Sequence, residues 1–245
     1  MSLPFAYNEK IILGTWSEER LDRHIADAAK IKNIGERIAF LSEQFLGTPY
    51  KKSPLIGAAT IPERLVINTK NFDCFTFLDC IEAMRLSRTY DDFRKKLVRI
   101  RYKKGVVEYK RRNHFFTDWT IYNRDFVQDK TKKIGGSKTQ IVKKTLNHKD
   151  DGASFVDGIR FLKRLIFYIP SEAVNKTMCR RLKTGDYVGI YTNLEGLDVS
   201  HVGIIVKDGS SIYFRHASSI IKKVVDQDFS EYISGKSGII ILRPY

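Results

Sequence analysis

The chain has 245 residues, 42% of them hydrophobic, with 15 Phe and 12 Tyr; this is enough apolar surface for a packed core and excludes a disordered polymer. No apolar run reaches the roughly 18 residues a membrane-spanning helix needs. Lys and Arg number 43 against 28 acidic residues, and the resulting +15 favours an anionic partner such as nucleic acid, an acidic polymer or a membrane surface.

Other function classes drop out on motif grounds. The 3 cysteines cannot all pair and contain no Cys-x-x-Cys, and the 5 histidines contain no HExxH, so no structural metal is expected. Basic clusters at Lys51-Lys52, Lys95-Lys96, Arg99 to Lys104, Lys110-Arg111-Arg112, Lys130 to Lys133 and Lys143-Lys144 match no nucleic-acid motif. Most of them read as solvated faces, and no nucleic-acid partner is expected. The first sixteen residues lack the basic-then-apolar layout of a signal peptide, and Met1-Ser2-Leu3 reads as an expression scar.

In chain order, residues 1–33 read as polar helix and loop, with an amphipathic stretch from Ser17 to Ile31. Ile34, Ile38, Leu41 and Phe45 mark a helix that Gly47 stops, with Pro49 just beyond. Residues 51–70 are mostly loop. At Asp73-Cys74 the pattern changes: Phe77, Leu78, Ile81 and Met84 recur at helical spacing as far as about Leu86. Asp73 is a good N-cap, which puts Cys74 at the first helical position, where free backbone N–H groups and the helix dipole favour thiolate over thiol. The same cysteine also reads as a small core hydrophobe, as Cys80 and Cys179 do. Thr89 caps a further helix with Phe93, Leu97 and Ile100 on its buried side.

Residues 103–155 are the least regular. Val106-Val107 suggests a strand, His114 sits in the aromatic run Asn113 to Trp119, and a strand is expected near Thr139 to Val142. Phe155 to Leu165 and Ser171 to Arg181 look helical. The last sixty residues turn β-rich: Asp186 to Tyr191, His201 to Val206, Ser211 to His216, Lys222 to Val225 and Gly238 to Leu242, with a short helix over Asp228 to Ile233. Helices first and sheet last give an α+β fold, read as one domain over 1–245: a helical half over 34–102, the insert over 103–155, and helices with sheet over 156–245.

Asp208-Gly209 is a two-residue hairpin turn signal. In that register paired residues sum to 417, so His201 and His216 face each other on one sheet face shared with Ile205, Ile212 and Phe214. Gly203 leaves room for a close approach. If the Cys74 helix packs on that face, a Cys–His–His constellation results, one imidazole taking the thiol proton and the other orienting it.

With these residues the chain resembles the NlpC-type cell-wall cysteine hydrolases, whose catalytic core is papain-like in permuted order. More closely it resembles their N-acetylmuramoyl-L-alanine amidase-like branch. The matching runs are Phe45 to Tyr50, Glu63 to Val66, Phe72 to Cys74, His114 to Trp119, Leu197 to Ile204 and His216 to Ser219. The resemblance implies Cys74 as nucleophile, His201 as general base, His216 as orienting member, and Asp73 and the Tyr50 region near substrate. His114 and Trp119 join them as candidate substrate contacts, the ring of Trp119 with Phe115 and Phe116 as a platform for sugar. The implied partner is peptidoglycan or a muropeptide, cleaved at the muramoyl–L-Ala amide by chemistry that needs no cofactor, in a periplasmic or secreted location with a cytoplasmic one as alternative. Rival readings are a γ-D-glutamyl endopeptidase acting on stem peptides, an acyltransferase on the same triad, and a basic binding module without catalysis.

Overall fold

The computed structural model describes residues 8–245, so Met1-Ser2-Leu3 lies outside it. The described chain opens with β1 (Glu9–Ile12), α1 (Glu18–Lys30) and α2 (Ile34–Glu43). Side chains set both helix starts: Ser17 Oγ accepts from Arg20 N at 3.2 Å, and Asn33 Oδ1 from Gly35 N at 2.9 Å. β2 (Leu65–Asn68) pairs parallel with β1. Neither strand is visible in the sequence, because four residues are too few for alternation to stand out.

α3 (Cys74–Arg85) and α4 (Tyr90–Arg101) follow, capped by Asp73 and Thr89 as their sequences require. α3 is the central helix, with Phe77, Leu78, Ile81 and Met84 fully buried. Each such side chain contributes roughly 1.5–3 kcal/mol. Its polar residues are buried too, and are paired. Asp79 meets Arg101 at 2.9 Å, and Glu82 accepts from Arg85 at 2.6 Å and from the Tyr187 hydroxyl at 2.6 Å.

The middle of the chain is less irregular than its sequence. It holds α5 (Asp118–Tyr122), β3 (Val127–Asp129), α6 (Thr131–Gly135), β4 (Gln140–Leu146) and β5 (Leu162–Tyr168). β4 and β5 form a separate antiparallel ribbon, Gln140 opposite Tyr168 through Leu146 opposite Leu162. The helix expected over Phe155 to Leu165 does not form. Gly158 sits at φ +72°, and the β-branched and aromatic run beyond it is better satisfied as a strand. Val106-Val107 is not a strand either; it lies between short 3-10 turns at Lys103–Gly105 and Tyr109–Arg111.

The C-terminal part carries α7 (Lys176–Arg181), β6 (Tyr187–Tyr191), β7 (Val199–Asp208), β8 (Ser211–Ala217), β9 (Val224–Asp228), α8 (Phe229–Ile233) and β10 (Gly238–Pro244). The helix read over Ser171 to Arg181 is shorter, beginning only after Asn175, whose Oδ1 accepts from Met178 N at 3.0 Å. Six strands form one antiparallel sheet in the order β3-β10-β6-β7-β8-β9.

One face of this sheet, with Tyr187, Tyr191, Val202, Ile204 and Ala217, packs on the helical half around α3. The other, with Val188, Ile190, Ile205 and Phe214, packs under α7 and α8. The architecture is therefore helices on an antiparallel sheet. Nor are all basic clusters solvated faces. The Arg101 guanidinium is buried on Asp79 and Val66 O, Arg112 pairs with Glu63 at 2.6 Å, and Lys144 Nζ donates to the carbonyls of Thr192, Leu194 and Leu197. Part of the positive charge serves the fold.

Candidate active site

Cys74 is the first residue of α3. Asp73 accepts from Thr76 N at 2.8 Å while Thr76 Oγ1 accepts from Asp73 N at 3.1 Å, a reciprocal box that fixes the helix start. The Asp73 carboxylate is thus spent on its own helix, and burial pushes its pKa up. Tyr50 is brought alongside by backbone bonding. Phe72 N donates to Pro49 O at 3.1 Å, Lys51 N to Phe72 O at 2.8 Å, and Tyr50 N to Lys222 O at 2.8 Å. Burial, then the Cys74 and Asp73 charges, raise the Tyr50 phenol.

The histidines come from the β7–β8 hairpin, whose register differs from the sequence reading. Pairs sum to 419: Asp208 faces Ser211 and Ile204 faces Arg215, with Gly209 (φ +56°) and Ser210 in the turn. A shift of two keeps every side chain on its face. His201 and His216 therefore still share one side, as a diagonal pair, with His201 Nε2 2.7 Å from His216 Nδ1. His216 Nε2 is 2.8 Å from Gln227 Oε1 on β9. Gly203 has its packing reason: a Cβ there would lie 2.6 Å from the Phe214 ring, which stacks on His216 at 4.9 Å. Tyr232 of α8 closes over both imidazoles, its ring 6.1 Å from His201 and 4.8 Å from His216.

The face carrying the histidines packs on α8, not on α3. Cys74 reaches the hairpin from the other side, where its ladder opens. Ile205 N donates toward β6, to Asp186 O at 2.8 Å, so even-numbered N–H groups of β7 point at β8. The β7–β8 pairing ends at Ile204 and Arg215. Two residues on, the Val202 N–H faces the Cys74 thiol instead and acts to lower its pKa. Among the described residues neither imidazole is hydrogen-bonded to the sulfur.

The resting charge state differs from the sequence expectation. Burial, then the Asp73 carboxylate, push the Cys74 thiol up to about 12, against the opposing N–H groups of Val202, Cys74 and Phe75. Burial, then His216 and Lys236, bring His201 down to about 3. His216 is lowered by burial, against the pull of Gln227 and Asp226. At neutral pH the pair is thiol and imidazole. A helix N-terminus favours thiolate, but desolvation is the larger effect here.

Two further candidates lie elsewhere. His114 Nε2 donates to Tyr109 O at 2.8 Å, and burial brings its pKa down to about 4. Among the described residues its hydrogen bond and ring contact are both to Tyr109, not to Cys74, His201 or His216. Trp119 does approach the site, edge-on to Phe75 at 5.9 Å, but it is fully buried, as are Phe115 and Phe116. None of the three has a face left for a sugar.

The sequence model of the N-acetylmuramoyl-L-alanine amidase-like (AmiA-like) family matches residues 40–239. The chain belongs to this family. Membership brings an amide-bond hydrolase activity related to peptidoglycan. The fold is similar to that of an N-acetylmuramoyl-L-alanine amidase from Bacteroides uniformis, with 25% identity, TM-score 0.74, and coverage of 86% of this chain and 99% of that one. It is also similar to a Legionella pneumophila protein, at TM-score 0.75 and 22% identity, covering 93% and 95%. No curated protein matches.

In this amidase-like protein two of the runs that carried the resemblance are tied to each other, and others are anchored to neighbouring elements. Asp198, before β7, accepts from Thr117 N at 2.7 Å and Thr117 Oγ1 at 2.8 Å. Asp118 holds Arg164 at 3.0 Å and Lys103 at 3.3 Å. Glu63 accepts from the Tyr102 hydroxyl at 2.6 Å. Gln227 and Tyr232 were not singled out from sequence, since Gln227 lies at the edge of a short strand and Tyr232 on a one-turn helix. No helix among the described residues is long and apolar enough to cross a membrane, and no group of three or more His, Cys, Asp or Glu among them could hold a metal ion.

Proposed function

We propose that the protein is a cysteine-dependent hydrolase of peptidoglycan or its fragments, cleaving the amide between N-acetylmuramic acid and L-Ala. Cys74 is the nucleophile, His201 the general base and His216 its orienting partner, on a papain-like core in permuted order that acts as one catalytic unit. The observation that carries this reading is the 2.7 Å bond between the two imidazoles, next to a β7 N–H that meets a helix-initiating thiol. The substrate assignment draws on the family, and a periplasmic or secreted location goes with the substrate.

Because the resting pair is neutral, the thiol proton moves as the sulfur attacks. The S–C bond forms at the carbonyl carbon, the proton passes to His201, and the oxyanion rests on the Cys74 N–H at the helix start. His201 then returns the proton to the leaving L-Ala nitrogen as the C–N bond breaks, giving a muramoyl thioester and a free amine. Water, deprotonated by His201, attacks the thioester and releases the lactyl carboxylate and the thiol. No step needs a cofactor.

Mass spectrometry of digested muropeptides tests the reading. Wild-type protein should release stem peptides with a free L-Ala amine and leave sugar without peptide, while Cys74→Ala does neither. Cleavage of γ-D-Glu bonds alone, in peptides already free of muramic acid, would instead assign an endopeptidase.

A further inference from the structure

The sequence of hydrogen bonds from β9 to β7 runs beyond the two histidines, and its polarity can be worked out from donors and acceptors alone. Gln227 Oε1 has no proton to give, so the 2.8 Å bond requires His216 to carry its proton on Nε2. A neutral imidazole has one N–H, which leaves His216 Nδ1 with a lone pair. The 2.7 Å bond to that nitrogen must then be donated by His201 Nε2–H. His201 is left with its lone pair on Nδ1.

We propose that Gln227 is a positioning residue that fixes His201 in the Nε2–H tautomer and so makes Nδ1 the nitrogen that takes the thiol proton. This rests on the Cys74–His201 reading above. Turning the Gln227 amide round would reverse every donor in the chain. Its NH2 would donate to His216 Nε2, His216 Nδ1–H would donate to His201 Nε2, and His201 Nδ1 would carry a proton. That imidazole could not accept one from Cys74, so only the first polarity leaves a base.

The strand geometry supports a built arrangement. Val225 pairs with His216 and Gln227 with Phe214, so Gln227 lies on the same face of the sheet, one alternation along from His216. Phe214 stacks on His216, and Tyr232 packs edge-on to it at 4.8 Å, which leaves the ring little freedom to flip. The remaining charged and titratable groups around the relay are Cys74 from α3, Lys236 after α8, and Asp226 on β9.

The test uses imidazole 1H–15N correlation spectra, which identify the protonated nitrogen, assigned through His201→Gln and His216→Gln. Gln227→Glu keeps an acceptor that has no proton; Gln227→Leu keeps the volume without one. Wild type and Gln227→Glu should both show His201 and His216 protonated on Nε2. Gln227→Leu should show mixed tautomers, with kcat down about tenfold or more and KM little changed; a tautomer locked wrong costs on the order of 10⁴ in a serine-protease triad. Melting curves check that each variant is folded. A wild-type His201 protonated on Nδ1, or identical tautomers in Gln227→Leu and wild type, overturns the proposal. The expected tautomers without any muropeptide hydrolysis would overturn the amidase reading and leave the relay standing.

Discussion

Acidifying the protein should unfold it through histidines that it buries neutral, and His114 gives the cleanest measure. Its ring is half-buried against Tyr109, and its pKa falls from 6.5 to about 4. Above pH 6.5 it is neutral in both folded and unfolded chains and costs nothing. Between 6.5 and about 4 the unfolded chain binds a proton that the folded chain refuses, so stability falls as pH falls through this window. The full difference is about 3 kcal/mol, most of which is lost by pH 4.5. His114→Gln keeps a side-chain donor near Tyr109 O and does not titrate. Urea unfolding at pH 7.5 and 4.5 should therefore show a fall in stability smaller in the variant by about 2–3 kcal/mol. Equal falls in the two proteins would mean that His114 is not held neutral by the fold.

Cys74→Ser should abolish turnover with an unchanged melting curve, whereas Cys80→Ser and Cys179→Ser should keep activity; an active Cys74→Ser would remove the nucleophile assignment. His201→Ala should lower kcat more than His216→Ala, because the second removes orientation and the first removes the base; steady-state kinetics on a muropeptide decide it, and equal losses would contradict the division of roles. Lys236→Gln should raise the His201 pKa, since Lys236 disfavours a second positive charge nearby, and NMR titration should show the upward direction. Arg101→Met should cost about 3–5 kcal/mol in urea unfolding by leaving Asp79 buried without its partner, and a much smaller loss would show that the pair is not carrying that charge.

How far the sequence could be read depended on how local the determinant was. The Asp73 cap, the α3 face and the order of helices then sheet each follow from residues within one or two turns of each other. The hairpin was read on the correct faces but two residues out of register, because Asp208-Gly209 and Gly209-Ser210 are both acceptable turns and only the packing of the sheet selects the second. The thiol's charge state differs from the sequence expectation, since a helix N-terminus is visible in sequence and burial by the rest of the fold is not. The β4–β5 ribbon and the Thr117–Asp198 tie depend on residues far apart in the chain. So does the Gln227 relay, whose polarity needs three side chains placed to within a few tenths of an ångström. Trp119, Phe115 and Phe116 signalled aromatic content without saying which side of the surface they would take.

The early end of the β7–β8 ladder has a consequence for engineering this protein. A hairpin that stayed zipped to its base would satisfy the Val202 N–H within the sheet and gain the stability of one or two more ladder bonds, roughly 0.5–1.5 kcal/mol each. It would also close the gap through which the thiol meets the strand. Mutations selected for thermal tolerance at this end of the hairpin, around Val202 and Ala217, should then yield hardier proteins that turn over slowly. Robustness and reactivity compete here for the same backbone hydrogen bonds.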